Sequence, residues 1–148
     1  DLDLSYKDAQ ILVTKLYRAF PNIEEKLTEL SHQGKELGMT KTLPPFERIR
    51  FLGKDRDRES SLGRQGKNSP IQGTGADMTK LACVILAKER LPFTFAHMVH
   101  DEIMVECAPE DAELVGGRLL EAMRAAGNII CPGDYIKAEL KEPSKTWN

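Results

Sequence analysis

The feature that most constrains the fold is a pair of mostly apolar segments separated by consecutive ionisable residues. Residues 93–99 and 103–107 flank His100, Asp101 and Glu102. Apolar segments of this length around a short polar turn predict an antiparallel β-hairpin. Strands anchored in a sheet can hold a carboxylate in the fixed position that a divalent cation requires, which favours metal-dependent phosphate chemistry. Because Asp and Glu also favour solvated turns, the pattern alone leaves both interpretations open.

The length and composition indicate one compact unit. The chain has 148 residues, of which 41% are hydrophobic and 30% are charged, enough for one ordinary core. No apolar run approaches the roughly 20 residues of a membrane span, and the first residues lack a signal-peptide pattern. Cys83, Cys107 and Cys131 have no CxxC spacing, so we expect buried, reduced thiols rather than a disulfide framework or a zinc site. These observations predict a soluble, intracellular protein without a membrane partner.

The charge is unevenly distributed along the chain. The net charge of −2 argues against a dedicated nucleic-acid-binding protein. Residues 48–67, however, hold seven basic and three acidic side chains, a net charge of +4, so the remainder carries −6. A basic segment on an acidic body suits contact with a phosphate backbone, although a solvated basic loop has the same pattern.

Two helices are expected at the start of the chain. Ser5 begins a helix over about residues 5–19, which ends before Pro21. Asn22 is expected to cap a second helix that ends at Gly38. The remaining expected elements are a ribbon over 39–52, an exposed loop over 53–60, a helix over 76–90, the hairpin, a helix over 109–127 and a strand over about 135–140.

Three polar residues recur at helical spacing within a glycine-rich segment. Residues 61–75 contain four glycines and one proline, which oppose helix formation. If the segment is nevertheless helical, Arg64, Asn68 and Gln72 share one face as a row of hydrogen-bonding groups. Such groups can reach the minor-groove acceptors that every base pair presents. A solvated helix face is the alternative.

Two motifs occur in a definite order along the chain. The first is Arg64-x3-Asn68-x-Pro70-Ile71-Gln72-Gly73-Thr74-Gly75-Ala76-Asp77, and the second is Val99-His100-Asp101-Glu102-Ile103. Together they resemble the C-terminal part of family A DNA polymerases, the bacterial polymerase I class. The resemblance implies an α+β fold with an antiparallel palm-type sheet, whose central hairpin packs on helices and follows a helical fingers segment.

The resemblance also implies a division of the chain. Residues 1–58 would be the C-terminal fingers helices and a connecting ribbon, and residues 59–148 the C-terminal half of the palm. One departure lies in residues 43–48, which read Leu-Pro-Pro-Phe-Glu-Arg where the family often has a turn of the Leu-Asp-Gly-Arg-Arg type. The geometry of that turn is therefore open.

The resemblance implies that the chain is part of a DNA-directed DNA polymerase, which transfers nucleotides to a primer 3′ hydroxyl. Asp101 would bind Mg²⁺ in a two-metal site, Glu102 would be an accessory carboxylate there, and His100 would lie against the primer terminus. The implied partners are primer–template DNA and deoxynucleoside triphosphates.

Four residues of the first motif receive further implied roles. Arg64, Asn68 and Gln72 would contact primer and template near the newly formed base pair. We interpret Asp77 as a structural residue, an anion at the start of a helix.

The resemblance also indicates what these 148 residues do not contain. A family A site needs a second catalytic aspartate and a fingers helix with an arginine, a lysine and an aromatic residue that hold the nucleotide. We therefore expect an inactive isolated chain, whose Mg²⁺ site is completed by a carboxylate from a missing N-terminal polymerase portion. The chain begins at Asp1 rather than a methionine, which fits a fragment or a processed product. The expected location is the cytoplasm of a bacterial cell or of a virus-infected host cell.

Two other functions stay open. The chain could be a noncatalytic nucleic-acid-binding or assembly module, in which the basic segment makes the contacts. It could also be a metal-dependent phosphohydrolase that uses His97, His100 and Asp101, although the spacing lacks a further set of His and Asp ligands.

Overall fold

The computed structural model describes residues 5–52 and 59–146, and it has the predicted α+β class. Of the loop predicted over 53–60, residues 53–58 lie outside the described ranges. Within those ranges, no helix is both long and apolar enough to span a bilayer. The elements are α1 (Tyr6–Ala19), α2 (Pro21–Leu37), β1 (Met39–Lys41), β2 (Ile49–Phe51), α3 (Glu59–Ala87), β3 (Phe93–Val99), β4 (Glu102–Cys107), a 3-10 turn (Pro109–Asp111) and α4 (Ala112–Ile130).

The chain divides into two compact units. The first comprises residues 1–41 and 49–70, and the second comprises residues 42–48 and 71–148. Helix α3 is continuous, so its first part belongs to one unit and its second part to the other. The division into fingers and palm at residue 58 concerns family regions and stays a prediction.

The starts of the first two helices follow from their capping residues. The Ser5 side chain accepts a hydrogen bond from the backbone N–H three residues on, which confirms the predicted cap of α1. The predicted cap of α2 at Asn22 is wrong, because α2 begins at Pro21 and its N-cap is Phe20. Proline needs no N–H partner in the first turn and has a helical φ already, so it starts the helix earlier. Gly38 ends α2 in the left-handed region, as predicted.

Glycines allow the backbones of α2 and of the first part of α3 to pack directly against each other. A Cβ atom added to Gly66 would lie 2.5 Å from the Leu30 carbonyl oxygen, and one added to Gly34 would lie 2.7 Å from the Gly66 Cα. A Cβ on Gly63 would lie 2.7 Å from the Ser31 hydroxyl. The segment is therefore helical despite its low propensity, because two of its glycines serve the packing of one helix on another.

The first unit leaves an apolar helix face uncovered. No residue of α1 is buried within the described part of the chain. Leu12, Leu16 and Phe20 are 53%, 47% and 54% exposed. In the same unit, β1 and β2 form the predicted ribbon, in which Thr40 pairs with Arg50.

The core of the second unit lies between the second part of α3, the β3–β4 hairpin and α4. Ile103 on β4 packs into it, and Val105 lies against it from the same strand. These residues alternate with Glu102 and Glu106, as expected for a strand with one buried face. The buried apolar members are Ala82, Leu86, Ile103, Leu119, Ala122 and Ala126.

The β3–β4 hairpin contains one irregularity. Phe95 pairs with Val105, and the next pair is His97 with Met104, so Ala96 has no cross-strand partner. An extra residue of this kind is a β-bulge, which increases the twist of a strand and re-aims the side chains beyond it. The bulge lies on the strand that leads into the predicted metal-binding turn.

The prediction of a strand over residues 135–140 is wrong. No strand forms there, and the segment packs on α4 through its side chains. A Cβ on Gly127 would lie 2.9 Å from the Ile136 Cβ, and one on Gly116 would lie 2.9 Å from a Leu140 methyl group. The alternating apolar side chains of this segment therefore contact glycines of α4 and do not belong to a strand of a sheet.

The same contact explains a second difference in α4. The helix was expected to end at Gly127, but it continues to Ile130. Gly127 is a site of close approach for Ile136 and not a helix terminus.

The cysteines are free thiols in the described part of the chain. Cys83, Cys107 and Cys131 are half-buried rather than fully buried. Burial beside the core raises the pKa of the Cys83 thiol, and a backbone hydrogen bond partly offsets this. The expectation of buried thiols is therefore only partly met.

Candidate active site

The turn between β3 and β4 presents three ionisable side chains at one end of the hairpin. Val99 pairs with Glu102, so His100 and Asp101 are the two turn residues. Both are exposed, and Glu102 is half-buried at the start of β4. His100 has φ 52°, in the left-handed region that non-glycine residues seldom adopt.

The turn is anchored from two sides. Ile103, which follows Glu102, is buried in the core. The buried Thr79 on α3 donates a hydrogen bond to the Gly75 carbonyl at 3.0 Å, and its oxygen lies 3.5 Å from the His100 carbonyl oxygen. These contacts hold the turn beside the second part of α3, as a positioned functional group requires.

The carboxylates of the turn could supply some of the ligands of a divalent cation. Carboxylate oxygens are hard donors of the kind that Mg²⁺ prefers. The Asp101 carboxylate makes no hydrogen bond or ion pair with the described part of the chain, whereas Glu102 Oε1 lies 2.5 Å from Lys141 Nζ. Among residues 5–52 and 59–146, no three His, Cys, Asp or Glu side chains are grouped so that they could hold a metal ion, and this includes His97 with the turn. The donors present have the right chemistry, but they are too few for two cations.

The row of polar residues in the first motif lies on a helix, which is the condition under which the three side chains were expected to share a face. Arg64, Asn68 and Gln72 are all exposed on α3. Arg64 and Asn68 belong to the first unit, and Gln72 belongs to the second. Their contact with DNA stays a prediction.

Asp77 has a partner that the sequence did not reveal. Its predicted place at a helix start is wrong, because it lies in the interior of α3 and is only 7% exposed. Its Oδ1 accepts a hydrogen bond from Arg48 Nε at 2.8 Å, and a terminal guanidinium nitrogen of Arg48 donates to the Gly73 carbonyl at 3.2 Å. The other oxygen, Oδ2, is buried without a hydrogen bond. Arg48 is therefore the positive charge on which this buried carboxylate depends.

Residues 42–48, the tip of the ribbon, hold the adjoining turn of α3 in place. The Leu43 N–H donates to Thr74 Oγ1, and the Arg48 N–H donates to Thr42 Oγ1, both at 2.9 Å. A Cβ on Gly73 would lie 2.7 Å from the Thr42 methyl group. The ribbon tip thus fixes the part of α3 that follows Gln72. Sequence reasoning missed this contact because its partners are 25 to 31 residues apart and carry no periodic signal.

Replacement of Arg48 tests the importance of this contact. Arg48→Met should lower the free energy of unfolding by about 3 kcal/mol, because the buried Asp77 carboxylate loses its counter-charge. Asp77→Asn should cost only about 1 kcal/mol, because the amide oxygen still accepts from Arg48 and the buried charge is removed. Urea unfolding followed by circular dichroism measures both. An equal or larger cost for Asp77→Asn would contradict the assigned dependence.

Comparison of the sequence with known families gives a consistent result. A profile described as DNA polymerase family A matches residues 1–138. The chain is 34% identical over 142 residues to DNA polymerase I of Aquifex aeolicus, covering 93% of this chain and 23% of that protein. It is 30% identical over 138 residues to the thermostable DNA polymerase I of Thermus aquaticus, covering 89% of this chain and 16% of that protein. The chain thus spans less than a quarter of the length of these relatives.

A solved structure shares the fold. The POL domain of Pol1 from M. smegmatis, in complex with DNA primer-template and dNTP, superposes with a TM-score of 0.71 at 24% identity. The match covers 84% of this chain and 23% of that chain. The likeness concerns the fold, and it agrees with the predicted α+β class.

Proposed function

This chain belongs to DNA polymerase family A, and from that premise we propose that it forms part of the catalytic domain of a DNA-directed DNA polymerase. Residues 1–58 are the C-terminal fingers helices and connecting ribbon, and residues 59–148 are the C-terminal half of the palm. The observation that carries the proposal is the exposed Asp101 carboxylate, presented by a turn that is anchored in the core and on α3.

The residues of the turn have distinct roles in nucleotidyl transfer. Asp101 would hold a divalent cation, for which we propose Mg²⁺, and His100 would lie against the primer terminus. When bound, the cations would make the primer 3′ hydroxyl a better nucleophile and stabilise negative charge on the reacting phosphate. The protein contributes a rigid hairpin, so Asp101 does not have to be ordered at the moment of reaction.

DNA and the nucleotide are the proposed partners of this site. Arg64, Asn68 and Gln72 contact primer and template through minor-groove acceptors, which are present at every base pair, so the contacts do not depend on sequence. The ribbon tip supports this role, because it fixes the turn of α3 that follows Gln72. The relative of known structure is complexed with primer-template and dNTP, which supports the same partners here.

The isolated chain is proposed to be inactive. Asp101 is the one carboxylate of the turn without a partner in the described ranges, and one carboxylate does not provide the donors for two cations. A second carboxylate would come from an N-terminal polymerase portion. The exposed apolar face of α1 supports such a partner, because an uncovered apolar surface favours a protein contact. The proposed location of the assembled enzyme is the cytoplasm.

Primer extension by a two-part enzyme tests the proposal. The chain is mixed with a polypeptide that supplies the second catalytic aspartate and the fingers helix, and extension of a labelled primer is followed with Mg²⁺. We expect extension by the mixture and none by either part alone. A folded and associated complex that fails to extend primers would contradict a catalytic role. If that complex still binds DNA in a salt-sensitive manner, the chain is a noncatalytic module instead.

A further inference from the structure

Glu102 and Asp101 are adjacent carboxylates with different surroundings. Glu102 Oε1 lies 2.5 Å from Lys141 Nζ, an ion pair between residues 39 positions apart. Asp101 has no such partner within the described ranges. The turn therefore presents one carboxylate that is already paired with a cation and one that is not.

The packing of the tail explains why Lys141 reaches the hairpin. Residues 135–140 lie on α4, and Ile136 and Leu140 contact its glycines Gly127 and Gly116. Leu140 immediately precedes Lys141, so the lysine backbone is placed by an apolar contact and not by the ion pair itself. An exposed ion pair is ordinarily weak because two long side chains lose rotamer freedom. Here the packing of the tail on α4 already fixes the backbone of Lys141, so the ion pair has to order less of the lysine.

An ammonium group at this position acts on a divalent cation in two ways. It occupies an oxygen that the metal would otherwise use, and its positive charge repels a metal bound to the same carboxylate. Both effects act on Glu102 more strongly than on Asp101, because the ammonium contacts Glu102 directly.

We propose that Lys141 is a positioning residue that makes Asp101, and not Glu102, the carboxylate of this turn that binds the divalent cation. The proposal rests on the proposed function, since it concerns the metal site assigned to Asp101. In this arrangement Glu102 pairs with the ammonium group of Lys141, whose backbone is already placed by the apolar contacts of the tail.

Manganese binding to the 148-residue chain tests the assignment without any measurement of catalysis. Mn²⁺ is titrated at low ionic strength, where charge effects are least screened, and paramagnetic broadening of the backbone amide signals of residues 99–104 reports its affinity for the turn. The variants are Lys141→Met, Glu102→Gln and their double variant, together with Asp101→Asn alone and combined with Lys141→Met. Lys137→Met is the matched control, because it removes a lysine that pairs with Asp134 in the same tail.

The expected result is a coupling between Lys141 and Glu102. Lys141→Met should tighten Mn²⁺ binding about threefold, as expected for loss of one nearby surface charge, and the control should leave it unchanged. Glu102→Gln should have little effect when Lys141 is present, but it should weaken binding about threefold in the Lys141→Met background. Asp101→Asn should weaken binding more than tenfold in both backgrounds, as loss of the direct ligand requires.

Other outcomes would overturn the proposal. An equal loss from Glu102→Gln in both backgrounds means that Glu102 binds the metal regardless of Lys141. Weaker DNA binding by Lys141→Met without a change for Mn²⁺ means that the lysine contacts phosphate instead. In both cases, a large effect of Asp101→Asn leaves the proposed function intact. Unchanged Mn²⁺ binding in Asp101→Asn would instead remove the metal role of Asp101, and the proposed function with it.

Discussion

Asp101→Asn should lower the rate of primer extension by the assembled polymerase at least about a thousandfold. Loss of a group that only orients a metal ligand commonly costs 10- to 100-fold, so loss of the ligand itself should cost more. A thousandfold loss corresponds to about 4 kcal/mol of transition-state stabilisation. Single-turnover extension of a labelled primer at saturating nucleotide measures this loss directly.

The structure provides a matched control for Asp101→Asn. Glu106 is an exposed carboxylate on β4 of the same hairpin, and Glu106→Gln should keep extension within about twofold because a lone surface charge contributes little. Both variants should unfold within about 0.5 kcal/mol of the parent chain, as is usual for surface substitutions. Activity of Asp101→Asn within tenfold of the parent, in a complex that still binds primer–template, would contradict the metal-binding role.

Gly66→Ala should destabilise the first unit by about 2 kcal/mol. The added methyl group would lie 2.5 Å from the Leu30 carbonyl oxygen and 3.2 Å from the Gly34 Cα. Both obstacles are backbone atoms, so a side chain cannot rotate away and the two helices must separate. Overpacking usually costs about 1 to 3 kcal/mol, and a clash with backbone atoms falls at the upper end of that range. Alanine gains about 1 kcal/mol over glycine in helix propensity, which leaves a net cost of about 2 kcal/mol.

Gly75 provides the comparison on the same helix. A Cβ atom added there meets nothing within 4 Å, so Gly75→Ala should raise the free energy of unfolding by about 0.5 to 1 kcal/mol through helix propensity alone. Urea unfolding followed by helical circular dichroism separates the two variants by the sign of their effects. A stabilising effect of Gly66→Ala would mean that α2 and α3 do not approach as closely as described.

Elements with a strong local signal could be predicted from the sequence. α1 has its capping serine and regular apolar spacing, and the β3–β4 hairpin has two apolar strands around a polar turn. The glycine-rich start of α3 could only be predicted conditionally. Its propensity opposes a helix, and the contact with Gly34 that makes glycine necessary there involves a distant segment.

The tail and the supports of the site could not be predicted, for a related reason. Residues 135–140 have the alternation of a strand, but their partner is a helix surface that lacks side chains at Gly116 and Gly127. The members of the candidate site were named from the two motifs. The groups that hold them, Arg48 and Lys141, are isolated charges whose partners appear only once the chain is folded.

The bulge in β3 gives the hairpin one point at which its length can vary. Cross-strand partners share a face of a sheet, so Phe95 lies on the face of Val105, whereas His97 lies on the face of Met104. Ala96 is the extra residue between these two pairs and has no cross-strand partner of its own. A one-codon deletion at Ala96 therefore leaves each cross-strand pair in place, whereas loss of a paired residue would carry its neighbours to the opposite face. Removal of Ala96 should therefore keep the cross-strand pairing but reduce the twist of the strand that leads into the candidate catalytic turn.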